Sequence, residues 1–132
     1  MSINIEISIG EFWDKVTILQ IKADRIKDKD KLINITKELN QLVDHWKKSS
    51  HNEIGIDEEL KKLRNINEQL WDIEDNIRDK EKGQEFDDVF IELARSVYFT
   101  NDKRADVKKK INKKMGSSLV EEKSYKEYCE SQ

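Results

Sequence analysis

Hydrophobic and polar positions alternate over the first nine residues, with Ile3, Ile5, Ile7 and Ile9 set against Asn4, Glu6 and Ser8. A period of two is the signature of a strand. A single short strand cannot stand alone, so this segment either pairs with another element or packs as an extended arm. The period then changes. Phe12, Val16, Leu19, Ala23 and Ile26 step by fours and threes and mark one face of a helix. Ser8 and Glu11 have capping-box spacing at its start, and Ile7 and Phe12 are placed for a hydrophobic staple. Ile18 and Ile21 fall on nearly the opposite side. A helix apolar on two sides is central, or faces a second subunit.

A polar turn near Lys29 and Asp30 separates this helix from a second, with Leu32, Ile35, Leu39, Leu42 and Trp46 on its face. The pattern fades from Ser49 to Gly55. Asp57 is a good cap for a third helix, whose face is Leu63, Ile66, Leu70, Ile73 and Ile77, and Gly83 suits the position just past its end. Phe86, Phe90, Leu93 and Val97 belong to a fourth. Thr100, Asn101 and Asp102 are turn or cap residues, so a break or bend is expected there. A fifth helix runs through Val107, Ile111 and Met115 to Gly116. Ser118 and Glu121 offer a second capping box, opening a short last helix with Tyr125 and Tyr128.

The predicted class is all-α. It is an antiparallel bundle of two helical hairpins with a short C-terminal helix and an extended N-terminal arm. Short connections make neighbouring helices antiparallel. One helical domain over residues 1–132 is expected, with the arm at 1–9, the first helices at 9–82 and the C-terminal helices at 85–132.

Composition narrows this further. Charged residues reach 40% of the chain, yet the net charge is only −3, and Leu, Ile, Val and Phe still total 35 of 132 residues. That apolar share is above the level at which chains stay disordered. No apolar run approaches a membrane span, and no basic-then-apolar leader opens the chain. Cys129 has no second cysteine to pair with, so a reducing cytoplasm is the simplest setting. The excess of Lys over Arg, 20 to 5, reads as codon bias.

Three polar clusters could carry chemistry. On the third helix Asn67, Trp71, Glu74, Arg78 and Glu81 line up beside the apolar face, where an aromatic ring flanked by a carboxylate and a guanidinium could wall a pocket. The competing reading is a solvated edge with an ordinary Glu74–Arg78 pair. On the first helix Asp14, Ile18 and Arg25 share a face, with Glu11, Lys15 and Lys22 alongside. Half-buried charges there must be paired, across a subunit contact, with a ligand, or with the third or fourth helix. The last cluster is Arg95, Tyr98, Asn101, Asp102 and Arg104, where two guanidinium forks beside a phenol suit a phosphate or carboxylate. Residues 100–115 hold seven basic and two acidic side chains, a local positive field that attracts anions. Nucleic acid is the less favoured anion, because the stretch lacks the interleaved aromatics of single-strand binders.

Other chemistry finds no pattern. His45 and His51 lack a third ligand in register, so no metal or other cofactor is expected. Nothing in sequence activates Cys129. There is neither a phosphate-cradling glycine loop nor a hydrolase elbow.

Four blocks together resemble a bacterial and phage family known as a domain of unknown function. They are Gly10-Glu11, Asp14-Lys15, Thr17-Ile18-Leu19, Ile21-Lys22 and Arg25-Ile26; then Leu70-Trp71, Ile73-Glu74-Asp75 and Ile77-Arg78; then Leu93 to Tyr98, Asn101-Asp102 and Arg104-Ala105; and finally Gly116-Ser117 with Glu121 to Tyr125. The family carries no established activity. Its members tend to occur near sugar-transfer and surface-polysaccharide genes, which implies a sugar-related accessory role. The expected function is therefore a non-catalytic module for an anionic ligand or a glycosyltransferase-type partner, acting as a homodimer. Arg78, Arg95 and Arg104 would supply donors, Trp71 and Tyr98 flat walls, and Glu74 and Asp102 would orient the arginines; Lys22, Arg25 and Asn101 complete the candidate set. The alternatives are a small cofactor-independent enzyme acting on an anionic metabolite, and a structural oligomerisation unit.

Overall fold

The computed structural model describes residues 1–49 and 55–128. Four helices follow in order: α1 (Ile9–Arg25), α2 (Lys29–Lys48), α3 (Asp57–Lys82) and α4 (Asp88–Met115). They form an all-α bundle, and no strand occurs among the described residues. α1 packs against the other three helices. Its two apolar sides are thus spent inside one chain: Val16, Leu19 and Ile21 are all buried. The core at the base joins Trp13 and Val16 of α1 to Ile56, Leu63 and Ile66 beside and on α3 and to Val107 and Ile111 of α4. Leu39, Leu42 and Trp46 of α2 lean on it from outside.

The start of α1 shows the Ser8 half of the expected capping box, while the Glu11 carboxylate accepts from Lys108. Ser8 is its N-cap and its hydroxyl accepts from the Glu11 amide at 3.1 Å. Two further free amides are satisfied from the far end of the chain. Gly10 N–H donates to Asn112 Oδ1 at 2.6 Å, and Ile9 N–H to Ser117 Oγ at 3.3 Å. Gly10 is needed here for space: a Cβ would lie 2.6 Å from the Lys108 carbonyl oxygen.

Several expected boundaries move. The turn between the first two helices is at 26–28, with Asp28 capping α2 through the Asp30 and Lys31 amides; Lys29 and Asp30 already belong to the helix. Asp57 is the first residue of α3, and Ile56, fully buried, stands at the cap with no side-chain bond. Burial of Ile56 outweighs a polar cap at that position. At the end of α3 the left-handed residue is Gln84 (φ 52°), one beyond Gly83. The Gln84 and Glu85 amides return to the Glu81 and Lys80 carbonyls, closing the helix end. The Ser49–Gly55 connection lies outside the described residues at 50–54, as do His51 and Cys129.

Of the two readings of residues 1–9, a paired strand and an unpaired arm, the structure has no strand there, and Ile3 and Ile5 are exposed. Two expectations are overturned. No break occurs at Thr100. α4 runs unbroken through it, since Thr100 is buried against the bundle while Asn101 and Asp102 bond to other side chains instead of capping a helix. The predicted last helix is also absent. Gly116, left-handed at φ 64°, ends α4, and residues 117–128 run back along it without helical structure. We call this segment the strap.

Candidate functional site

The site grows from one buried carboxylate. Asp14, on α1, is 1% exposed. Burial of a charge demands partners, and Asp14 has them on two other helices. Arg104 of α4 grips it with two parallel bonds, from Nε to Oδ1 at 2.9 Å and from Nη2 to Oδ2. Asn67 of α3 donates to Asp14 Oδ1 at 3.0 Å and to Thr17 Oγ1 at 2.9 Å. Thr17 Oγ1 donates in turn to the Asp14 carbonyl at 2.9 Å. One helical turn further along α4, Lys108 reaches Glu11 at 2.6 Å and Asp14 at 3.7 Å. Planar guanidinium against carboxylate is the geometry that fixes orientation as well as charge. The Asp14 partnership raises the Arg104 pKa against the opposing cost of burial. Burial pulls the Lys108 ammonium down, but its bond to Glu11 and the nearby Asp14, Glu11 and Glu121 charges outweigh that, so its pKa ends raised.

The strap is tied onto this assembly by ion pairs. Glu121 accepts from Lys108 at 3.2 Å and from the Ser8 hydroxyl at 3.1 Å; Glu122 accepts from Lys109 at 2.9 Å; Lys123 donates to Asp102. The Lys123 bond, with a second from the Tyr128 hydroxyl, holds the Asp102 pKa below the usual carboxylate range. Tyr128 packs against Tyr98 and Phe99, with ring centroids 5.0 Å away from each.

Two hollows flank Arg104 and Asn101. The first, of about 560 Å³, lies between α4 and the strap. Its walls include Tyr98, Tyr125 and Tyr128, with four cations, Arg104, Lys108, Lys123 and Lys126, against two carboxylates, Asp102 and Glu121. The second, of about 440 Å³, is shallower and lies where α1, α3 and α4 meet. Ile18, Lys22, Trp71 and Glu74 line it, with Arg104 and Asn101 forming the wall shared with the first.

Of the residues singled out in sequence, Lys22, Trp71, Glu74, Tyr98, Asn101, Asp102 and Arg104 line one hollow or both. Arg25, Arg78 and Arg95 line neither. Arg25 pairs with Asp72 at 2.5 Å and lies over the Trp71 ring. Arg78 pairs with Glu74 on its own helix and stays exposed. Arg95 pairs with Glu92 at 3.1 Å and lies over Phe99. The three-arginine arrangement of Arg78, Arg95 and Arg104 is therefore not brought together: only Arg104 faces the hollows, because its position alone points at α1. Lys108, Glu121 and Lys123 are not among the candidate site residues read from the sequence. The helical reading of 118–128 hid the last two, and Lys108 looked like one more lysine in a basic run.

A third hollow of about 440 Å³ runs between α2 and α3 over α1, walled by Phe12, Trp13, Trp46 and Leu60. These aromatics touch one another, and the Trp13 indole N–H is buried without a hydrogen-bond partner. Among the described residues no group of three or more His, Cys, Asp or Glu could hold a metal ion, and no helix is long and apolar enough to cross a membrane.

Family comparison decides membership. The family of unknown function DUF6165 matches residues 3–131. The chain belongs to that family. No curated protein and no solved structure matches it. In this DUF6165 chain the four sequence blocks, far apart along the polypeptide, converge on Arg104. Glu11, Asp14 and Thr17 come from the first, Trp71 and Glu74 from the second, Asn101 and Asp102 from the third, and Glu121 and Lys123 from the last.

Proposed function

We propose that this DUF6165 chain is a non-catalytic binding module. Its site is the groove between α4 and the strap, and its ligand is a small anion carried on a sugar-like or otherwise flat body. The observation that carries this reading is the lining of the larger hollow: cations outnumber carboxylates there, and three tyrosine rings stand beside them. Arg104 is pre-set by Asp14 and Asn101, so it meets a ligand with little rotamer entropy left to lose. Lys108, Lys123 and Lys126 add charge, and Tyr98, Tyr125 and Tyr128 offer apolar faces with polar tips. The hollow is partly open to solvent, which suits recognition more than a reaction that must exclude water. The family resemblance supplies the setting, sugar or surface-polysaccharide metabolism, with a glycosyltransferase-type protein as the partner to which such a module would deliver or report its ligand.

A thermal-shift panel tests it, with sugar phosphates, nucleotide sugars, inorganic phosphate and a polyanion at low and high salt. Ligand at about 100 times its Kd stabilises by about 2.7 kcal/mol, several degrees for a chain of this size. The expected result is a shift with one small anion that Lys123→Ala and Tyr98→Ala both abolish. A shift insensitive to both substitutions, or none with any small anion, overturns the groove as an anion site and leaves recognition of a protein partner. Turnover of the bound anion would reassign the groove to an enzyme.

A further inference from the structure

Every buried residue of α3 lies at or before Asn67, and every buried residue of α4 at or after Thr100. Between them the two helices and their turn project as an arm with no buried residue. Phe86, Val89 and Ile91 remain 53%, 55% and 50% exposed there. Two helices alone bury one seam and leave its flanks wet, so such an arm is stabilised by a further layer.

The charge order along α4 selects what that layer is. Asp88, Glu92 and Arg95 precede Phe99, and Asp106, Lys110 and Lys113 follow it, spaced on one helical face. All seven side chains are exposed. Read forward, the signs are minus, minus, plus, then minus, plus, plus. Turned end for end about a twofold axis near Asn101, the stripe is its own complement. Asp88 meets Lys113, Glu92 meets Lys110, and Arg95 meets Asp106. In a parallel pairing each charge would meet its own copy and repel.

We propose that a second copy of this chain covers the arm, with α4 packed antiparallel against α4 of the other copy. Such an interface is isologous, so each contact is made twice. Phe99 sits close to the axis and supplies the apolar centre, and Val89 and Ile91 flank the stripe. Within one chain Arg95 already holds Glu92 at 3.1 Å. In the pair this becomes a chain of four charges running from Asp106 of one copy through Arg95 and Glu92 to Lys110 of the same neighbour. The surface adjoins the strap groove at Phe99, which packs against Tyr128, but the inference does not rest on what that groove binds.

Sedimentation equilibrium of the full chain over a wide concentration range tests it. The expected mass is twice 15.7 kDa at high concentration and low salt, with dissociation promoted by salt. Glu92→Lys and Lys110→Glu each place like charges in contact twice, and each raises the dimer Kd by about tenfold or more. An equimolar mixture of the two variants restores both contacts in the heterodimer and so regains the wild-type affinity. Circular dichroism checks that both variants keep their helices, as exposed positions allow. A chain that stays monomeric at every concentration overturns the proposal. So does a dimer indifferent to both reversals, or one that mixing fails to rescue.

Discussion

The base of the bundle and the arm are built from the same two helices, α3 and α4, yet they are held together differently. At the base, α1 packs against both of them and each helix contributes buried side chains, apolar ones around Leu63 and Ile111 and polar ones around Asp14. In the arm, beyond its near end where Arg25 reaches Asp72 and Tyr128 packs on Tyr98 and Phe99, the same helices pack on each other. Their ion pairs, Glu74–Arg78 and Glu92–Arg95, stay on single helices and face solvent. The tip is fastened by Lys80, which holds Glu85 at 2.9 Å and Asp87 at 3.0 Å. The lesson is that charge counts alone do not rank the two regions. What ranks them is whether water can replace a partner that is lost. At Asp14 it cannot, so the pairing is obligatory; at Glu74 it can, so the pairing is nearly optional.

The largest contrast should come from those carboxylates. Asp14→Ala leaves the Arg104 guanidinium half-buried without its anion and should cost about 3–5 kcal/mol, read as a drop in the urea midpoint. Equal losses for Asp14→Ala and Glu74→Ala would break the comparison. Cavities come next. Leu63→Ala, in the fully buried base, should cost about 2–5 kcal/mol. Ile77→Ala, half-buried in the arm, should cost well under half of that in a monomer, because water and neighbouring side chains fill the space.

Gly10→Ala should cost about 1–3 kcal/mol, since the added methyl must push α1 away from the Lys108 carbonyl. The same variant should loosen the strap, whose Ser117 and Glu121 bond to the start of α1. Faster amide exchange at residues 117–128 would register that.

Acid sharpens the comparison further. Glu59, 6% exposed, accepts from Lys114 at 2.5 Å, and this bond holds its pKa below the usual value against the cost of burial. Its folded pKa lies below its unfolded one. The stabilisation is therefore present above the unfolded value of about 4.3 and is lost as pH falls through the folded pKa. Glu59→Gln should lower stability at neutral pH and flatten the acid limb of the stability curve. An acid limb unchanged by the substitution would refute the assignment. The smallest effect belongs to the arm: Glu74→Ala should change stability by about 0.5 kcal/mol or less.

Sequence by itself determined the first three helices, because periodicity is written into each segment locally. The steps of three and four from Phe12 to Ile26 and from Leu63 to Ile77 needed no knowledge of neighbours, nor did the Ser8–Glu11 cap. The placement of Trp71 and Glu74 beside the apolar face of the third helix was equally legible. Tertiary structure decided everything that depends on which partner a polar group finds. Thr100, Asn101 and Asp102 read as a helix break because in isolation such side chains compete for their own backbone. Inside the bundle, burial of Thr100 and bonds from Arg104 and Lys123 to the other two outweigh that competition. Ser118 and Glu121 read as a helix start, but Glu121 is spent on Lys108 and Ser8, more than a hundred residues from the latter. Arg78, Arg95 and Arg104 were alike as sequence. Only the placement of Asp14 on a neighbouring helix makes one of them the floor of a groove and leaves the other two to solvent. Local propensity is additive along the chain and can be read in order. The choice among possible partners for a charge is made by desolvation, which exists only once the chain has folded.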